Sequence, residues 1–350
     1  MRFVLWSVIA IVTTLPSPAQ QRPAQQPKRP SEARNSILSE QELHRLMSGS
    51  SDDQFEVGHA YLTGLTGTPN YKKALIWYKK SADRGNLAAM SEIGRMYFEG
   101  WGVPRDVHKA LEYFFLAASS GYPQAQFNLG LLYLKGLGVS ADIGRALKWL
   151  QLASANGSAM ADNALGFIYF TGFGLPKDAQ RGCQFFEKSA NTGLAAAQFN
   201  LGYCYETGEG VKLDYGEAAR LYEEAALQNY AAALANLGHL YQDGTGVRKD
   251  LSRALELFNK AADQGNPQAF NSLASTFYAG KGVAKDPVAA YMWLDLAELK
   301  GTPVEKAIEI VVSKLTPDQI GAAQRLADDW VSTHADIFRA SAPPELSPAN

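Results

Sequence analysis

The strongest constraint on how this chain can fold is a repeat with a period of 36 residues. A pair made of an aliphatic and a small residue returns seven times at that spacing, with no insertion between copies. The copies are Val57-Gly58, Ile93-Gly94, Leu129-Gly130, Leu165-Gly166, Leu201-Gly202, Leu237-Gly238 and Leu273-Ala274. An aromatic residue follows each small residue by three places, at Tyr61, Tyr97, Tyr133, Tyr169, Tyr205, Tyr241 and Phe277. Residues 50–301 therefore contain seven copies of one repeat. Each copy must bury its apolar side chains against neighbouring copies, because a single repeat is too small to form a core alone.

Each repeat is predicted to form two antiparallel helices joined by a glycine turn. The apolar face of the first helix in the third repeat consists of Ala125, Leu129, Leu132 and Tyr133. Gly136-x-Gly138 ends this helix, because glycine readily adopts the left-handed conformation of a C-cap. Asp142 opens the second helix as its N-cap. The chain is therefore expected to be an all-α solenoid of about seven helix-turn-helix repeats.

The recurring pattern A-x-x-x-L-G-x-x-Y-x-x-G-x-G-V-x-x-D-x-x-x-A closely resembles the Sel-like repeat family, a branch of the tetratricopeptide-like solenoids. Three stretches match it especially well: AQFNLGLLYLKGLGVSAD (125–142), AQFNLGYCYETGEGVKLD (197–214) and ALANLGHLYQDGTGVRKD (233–250). The resemblance covers about 250 residues and implies a right-handed superhelix of stacked helix pairs. The terminal repeats depart from the pattern, with Asn70 at the capping place of the first and Ala274 at the glycine place of the seventh.

The residues outside the array are predicted to form a signal peptide, a linker and capping helices. An apolar run that begins at Phe3 predicts a cleaved signal peptide over residues 1–19, with an uncleaved anchor as the alternative. Residues 20–36 are rich in Gln and Pro and predict a flexible linker. The remaining expectations are an N-terminal capping helix within 37–49, C-terminal capping helices within 302–338 and a flexible tail over 339–350.

Composition and charge narrow the possible functions. The chain has 33 Lys+Arg and 35 Asp+Glu, a net charge of −2, so it lacks the basic excess of a nucleic-acid-binding protein. Six Gly-x-Gly motifs follow predicted helices rather than strands, which argues against a nucleotide site. The aspartate that recurs at one position of six repeats, from Asp106 to Asp286, is explained as a helix cap, and the five histidines show no metal-site spacing. We therefore expect no cofactor, no metal ion, no nucleic-acid partner and no enzymatic activity.

Cys183 and Cys204 are the two cysteines of the chain. Each takes a place that leucine or isoleucine holds in other repeats, so both are predicted to face the core. They lie at nearly equal distances from the predicted turn near Gly193-Leu194, so an antiparallel helix pair would hold them at one height. An oxidising compartment favours a disulfide between two such residues. Two buried thiols are the alternative.

A partner is expected to bind on the concave face of the superhelix. The first helix of each repeat carries there the residue before the Leu-Gly pair and the residue three places further on. Asparagine amides on this face can offer paired donors and acceptors to a peptide backbone, and large apolar side chains can act as anchors. The candidate partner-binding residues are Arg95, Asn128, Leu131, Phe167, Asn200, Tyr203, Asn236 and His239. The alternative is that the asparagines hydrogen-bond within the helix pair.

Together these features predict a periplasmic or secreted scaffold or regulator that binds a protein or peptide without turnover. We expect a monomer that is not stably inserted in the membrane after signal cleavage. The resemblance to Sel-like repeats implies roles as an adaptor, as a virulence-associated contact, or as a periplasmic regulator that restrains an envelope signalling system. Two alternatives stay open: a cell-wall enzyme or penicillin-binding protein, and a chaperone for envelope assembly.

Overall fold

The computed structural model describes residues 40–339, and the secondary structure in this range is entirely α-helical. The predicted signal peptide, linker and residues 340–350 of the tail lie outside the described residues, as do residues 37–39 of the predicted N-terminal cap. The helices form two compact groups, which we call the N-terminal block (residues 40–194) and the C-terminal block (residues 195–339). The all-α repeat fold expected from the sequence is thereby confirmed.

The N-terminal block is a stack of four helical hairpins behind a short cap. Its helices are α1 (Glu40–Met47), α2 (Ser51–Thr63), α3 (Tyr71–Asp83), α4 (Leu87–Glu99), α5 (Val107–Ser119), α6 (Pro123–Lys135), α7 (Ile143–Ala155), α8 (Ala159–Thr171) and α9 (Ala179–Ala190). Helix α1 packs on α2, and the hairpins α2–α3, α4–α5, α6–α7 and α8–α9 follow one another in sequence and in space.

The C-terminal block holds three further hairpins and a larger cap. Its helices are α10 (Ala195–Thr207), α11 (Tyr215–Leu227), α12 (Ala231–Asp243), α13 (Leu251–Ala262), α14 (Pro267–Ala279), α15 (Pro287–Leu299), α16 (Glu305–Val312), α17 (Pro317–Thr333) and α18 (Ala335–Arg339). Helices α16 and α17 pack on α15 and cover the last hairpin. Thr316 opens α17 with a capping box, in which side chain and backbone satisfy each other's hydrogen bonds.

The glycine of each Leu-Gly pair lets the two helices of a hairpin approach closely, as predicted. A Cβ atom built at Gly130 would lie 2.6 Å from the side chain of Leu150, and one built at Gly94 would lie 2.9 Å from the ring of Phe114. Real Cβ atoms do not tolerate such distances, so glycine is required for the large residue of the second helix to lie against the first. Leu150 and Phe114 are both fully buried.

The aspartate ladder consists of helix N-caps, also as predicted. The Asp142 carboxylate accepts the backbone N–H of Arg145 at 2.9 Å, and its own N–H donates to the Tyr133 carbonyl at 2.9 Å. The first bond satisfies an otherwise unpaired donor of the helix, and the second closes the turn back onto the preceding helix. The other caps are Asn70, Asp106, Asp178, Asp214, Asp250 and Asp286.

Within the N-terminal block, the second glycine of each Gly-x-Gly motif has a role that the sequence did not reveal. Gly102 has a φ of +69°, and a Cβ atom there would lie 2.8 Å from the backbone carbonyl carbon of Tyr71. A Cβ atom at Gly138 would lie 2.5 Å from the side chain of Val107. Tyr71 and Val107 each begin the second helix of the preceding repeat, so the turn of one repeat is packed against the helix start of the one before it.

This contact can be separated from the backbone preference of glycine by a matched pair of variants. Gly121 also has a positive φ, +88°, but nothing lies within 4 Å of a Cβ atom built there. We expect Gly121→Ala to lower the free energy of unfolding by about 1 kcal/mol, the cost of the left-handed conformation. Gly102→Ala should cost about 1 kcal/mol more, because a backbone atom must move. Urea unfolding followed by circular dichroism measures both, and equal losses would contradict the contact.

Tyr78 and Tyr222 occupy the same repeat position with opposite polar environments. Both are fully buried against the glycine of their own hairpin. The Tyr222 hydroxyl donates to the Glu206 carboxylate at 2.5 Å and accepts from the Asn236 amide at 3.1 Å. The Tyr78 hydroxyl is buried without a hydrogen-bond partner, a situation that costs stability.

Replacing each tyrosine with phenylalanine should therefore have opposite effects. Tyr78→Phe is expected to raise the free energy of unfolding by about 1 kcal/mol, because it removes an unsatisfied hydroxyl. Tyr222→Phe is expected to lower it by about 1–3 kcal/mol, because Glu206 and Asn236 lose a buried partner. Equilibrium denaturation of the two variants beside the unmodified protein checks the sign. A stability loss in Tyr78→Phe would show that its hydroxyl has a partner.

Candidate protein-binding site

The residues predicted for the concave face are mostly enclosed by the structure. Six of the eight are between 1 and 8% exposed: Arg95, Asn128, Leu131, Phe167, Asn200 and Asn236. Tyr203 and His239 are half-buried. The expectation that these side chains lie open on a face opposite the core is therefore wrong for six of them. A role of any of the eight in binding stays a prediction.

The hydrogen bonds of two of the asparagines explain why they are enclosed. The Asn236 amide donates to the Tyr222 hydroxyl at 3.1 Å, and its oxygen accepts from Gln268 at 3.5 Å. The Asn128 oxygen accepts from the Gln124 amide at 3.1 Å. Asn128 bonds within its own helix, in line with the alternative that the sequence left open, whereas Asn236 bonds to helices of the preceding and the following repeats.

Two titratable side chains near Asn236, those of His239 and Glu206, are also part of this packing. The imidazole of His239 lies 3.0 Å from the Ser272 hydroxyl, and burial lowers the pKa of His239 although Asp243 acts in the opposite direction. Burial raises the pKa of Glu206 against the effect of its hydrogen bonds from Tyr222 and Asn236. The polar groups of this part of the C-terminal block thus serve its internal structure.

In two turns of the N-terminal block, the residue between the two glycines covers a predicted site residue. The Trp101 ring lies over the Arg95 guanidinium, with 4.6 Å between the guanidinium carbon and the ring centroid. Phe173 covers Phe167 in the same way, with ring centroids 6.4 Å apart. Trp101 and Phe173 stand at one repeat position, and Leu137 is their counterpart in the repeat between them. We call Trp101, Leu137 and Phe173 the loop-tip ladder.

The loop-tip ladder is apolar and accessible. Phe173 is 51% exposed, and Trp101 and Leu137 are half-buried. Tyr71 is itself exposed and stacks on Trp101, with ring centroids 5.8 Å apart and planes inclined by 18°. Large exposed apolar side chains in register are typical of a surface that another molecule covers.

The same repeat position is polar in the C-terminal block. It holds Glu209, Thr245 and Lys281, so the apolar character of the ladder is confined to the N-terminal block. Sequence reasoning missed these residues because it treated every Gly-x-Gly motif as a helix end alone. The signal was available in the middle residue, which changes from apolar in the first three motifs to polar in the last three.

The support beneath Trp101 holds its ring in place. Arg95 is buried and forms an ion pair with Glu92, so its guanidinium plane is fixed beneath the indole. A cation against the face of tryptophan is attractive, and Tyr71 stacks on the same indole. A side chain held in this way loses little conformational entropy when a partner covers it.

Among the described residues, a serine hydroxyl lies beside a basic side chain at Ser272 with His239, described above, and at Ser154 with Lys188. The Lys188 ammonium donates to the Ser154 hydroxyl at 2.8 Å and to the Asp162 carboxylate at 2.9 Å. Ser154 in turn donates to Asp162 at 2.5 Å. An ammonium group that donates to a carboxylate has no lone pair with which to accept the serine proton. These contacts join the third and fourth repeats and give no support to a cell-wall enzyme.

Residues 40–339 offer neither a metal site nor a membrane-spanning helix. This range contains no group of three or more His, Cys, Asp or Glu side chains able to hold a metal ion. None of its helices has the length and apolar character needed to cross a bilayer.

The disulfide between Cys183 and Cys204 stays a prediction. Cys183 lies in α9 and Cys204 in α10, and both side chains are buried. We expect protein from an oxidising compartment, unfolded in denaturant without reductant, to take up no iodoacetamide, and to take up two alkyl groups after reduction. Intact-mass spectrometry reads both values. The Cys183→Ser variant, which leaves one free thiol, is the positive control, and two alkylated cysteines before reduction would contradict the bridge.

Comparison with known proteins agrees with the repeat lattice. The family model of the Sel1 repeat matches seven segments, at residues 51–86, 87–122, 123–158, 159–194, 195–230, 231–266 and 269–301. A Sel1 repeat protein from Oxalobacter formigenes is 37% identical over 70% of this chain and 98% of that one, with a TM-score of 0.64. The protein c5321, a protective antigen present in uropathogenic Escherichia coli strains and displaying an SLR fold, is 26% identical over 87% of this chain and 73% of that one, with a TM-score of 0.50. Comparison with the curated proteins found no match.

The stacked hairpins and the row of turn residues define a helical-repeat protein with a repeated surface. The chain belongs to the Sel1 repeat family, as the resemblance in the sequence indicated. Proteins of this family generally mediate protein–protein interactions and are typically non-catalytic scaffolds.

Proposed function

We propose that this chain is a scaffold that binds a protein partner across the loop-tip ladder. The observation that carries the proposal is the row of apolar side chains at one repeat position, one exposed and two half-buried, which is confined to the N-terminal block. Beneath it lie Arg95 and Phe167, two of the residues that the sequence singled out. The buried residues then support the surface that the partner contacts, rather than contacting it themselves.

The spacing of the ladder favours an extended peptide segment as the bound element. Neighbouring helices pack about 8–10 Å apart, and one three-residue turn of an extended polyproline II segment spans about 9 Å and returns every third side chain to the same side. A segment with an apolar side chain at every third residue could therefore place one side chain against each of Trp101, Leu137 and Phe173. Aromatic anchors at the centre of such a contact supply most of the binding energy.

We further propose that the scaffold acts in the periplasm or outside the cell, as a regulator that restrains an envelope signalling system. The apolar run that begins at Phe3, over the predicted signal peptide, supports the location. The predicted disulfide supports the same location, because such a bond forms and persists in an oxidising compartment. A regulator of this kind needs a binding surface and no catalytic group.

The loop-tip ladder can be tested by site-specific crosslinking in the native organism. A photoreactive phenylalanine analogue at position 173 should crosslink to a discrete partner, whereas the analogue at position 245, the same repeat position in the C-terminal block, should not. Mass spectrometry identifies the product. Equal labelling from the two positions would count against the ladder.

Affinity measurements with the partner so identified complete the test. Leu137→Asn and Phe173→Asn should each weaken binding at least tenfold, because each removes an apolar anchor. Thr245→Asn, the matched control, should leave the dissociation constant unchanged within twofold. A loss of affinity in Thr245→Asn equal to that in Phe173→Asn would show that the ladder is not the binding surface.

A further inference from the structure

The N-terminal block carries an excess of positive charge on the second helices of its first three repeats. Counting Lys, Arg, Asp and Glu, helices α3, α5 and α7 contain seven basic and two acidic residues, and all nine side chains are exposed. The acidic residues are Asp83 and Glu112, and the basic residues are Lys72, Lys73, Lys79, Lys80, Lys109, Arg145 and Lys148. We call the exposed side of these three helices the basic outer face.

Most of this positive charge is available to another molecule. Lys109 and Arg145 lie 3.6 Å and 3.3 Å from the aspartates that cap their own helices. The other five basic side chains form no ion pair with any of the described residues. Exposed ion pairs such as the two at the caps are weak, so the face keeps its positive sign.

The charge excess is local to this surface. The matching second helices of the C-terminal block, α11, α13 and α15, contain three basic and six acidic residues. The first helices of the N-terminal block, α2, α4, α6 and α8, contain two basic and six acidic residues. The excess is therefore a property neither of the whole chain, whose net charge is −2, nor of the repeat pattern.

Large apolar side chains protrude among the basic ones. Ile76 of α3 is 55% exposed, Phe115 and Leu116 of α5 are 53% and 56% exposed, and Leu152 of α7 is 40% exposed. Leu116 and Leu152 hold the repeat position that Lys80 holds on α3. Apolar and cationic groups thus occupy the same rows of one surface.

This combination indicates the chemistry of the surface that covers the face. A face of one sign repels a second copy of itself and attracts a polyanion. The protruding apolar side chains identify the polyanion, because the headgroups of an anionic bilayer lie directly above acyl chains, whereas the phosphates of a nucleic acid do not. Six of the seven basic residues are lysines, whose long apolar stems can lie beside acyl chains while the ammonium group stays among the phosphates.

We propose that the basic outer face docks the N-terminal block on the surface of an anionic phospholipid bilayer. Ile76, Phe115 and Leu116 enter the boundary between headgroups and acyl chains, which lies about 5–10 Å deep, and the lysines bind the lipid phosphates. The contact is peripheral and reversible, and it uses none of the residues of the loop-tip ladder.

Vesicle flotation measures this docking. The probes are vesicles of phosphatidylethanolamine with phosphatidylglycerol, and vesicles of phosphatidylcholine alone. The unmodified chain should bind the first at least tenfold more tightly than the second, and added salt should weaken that binding because it screens exposed charges. All chains are purified in the same way, so any contribution of the apolar run that begins at Phe3 is constant.

Matched charge reversals locate the binding surface. Lys79→Glu with Lys80→Glu should weaken binding to the phosphatidylglycerol vesicles at least tenfold, because each basic residue at an anionic surface contributes about fivefold. Arg248→Glu with Lys249→Glu makes the same change in net charge at exposed residues of the C-terminal block. This control should stay within about threefold of the unmodified chain.

A second matched pair tests the apolar contribution. Leu116→Ser should weaken binding about fivefold, because the leucine no longer buries apolar area in the bilayer. Leu227→Ser, at a residue of the C-terminal block that is 81% exposed, should have no effect. Phe173→Asn should also leave vesicle binding unchanged, which separates this proposal from the loop-tip ladder. Circular dichroism confirms that each variant is folded.

Three outcomes would overturn the proposal. The first is equal binding to the two kinds of vesicle. The second is an equal loss of binding in the two charge reversals or in the two leucine variants. The third is binding of polyglutamate without binding of phosphatidylglycerol vesicles, which would assign the basic outer face to an acidic protein.

Discussion

The contact on which the N-terminal block depends is the approach of each Gly-x-Gly turn to the helix start of the preceding repeat. It exists because the second glycine has a positive φ and no side chain, so that Gly102 can lie against Tyr71 and Gly138 against Val107. The hairpin packing at the Leu-Gly pairs builds a single repeat. The turn contact joins one repeat to the next and fixes where the middle residue of the turn must stand.

The packed turn fixes the position of its middle residue. It lies over the side chain that the first helix directs outward, as Trp101 does over Arg95 and Phe173 over Phe167. The same geometry thus buries the residues that looked accessible in the sequence and replaces them with a new outer layer. A change in that layer from apolar to polar side chains alters the surface without disturbing the lattice beneath it.

The constant period also orders the outer helices. Residues 36 apart hold the same place in their repeats, so core positions and exposed positions recur together along the chain. The core positions are held by packing and by caps such as Asp142, whereas exposed positions can vary, and it is there that specific contacts with other molecules can arise.

The sequence by itself determined the helices, their caps and the family, because these depend on contacts within about 20 residues. Asp142 accepts an N–H three residues away, and Gly130 packs on Leu150 in the same hairpin. It also indicated correctly that glycines end the first helices. The exposure of individual side chains was decided only by the tertiary structure. Whether Arg95, Asn128 or Phe167 reaches the surface depends on the turn residue above it and on the helices beside it, and a pattern of one helix face contains neither. Because exposure depends on these neighbours, the candidate site lies at the middle residues of the turns and not on the helix face.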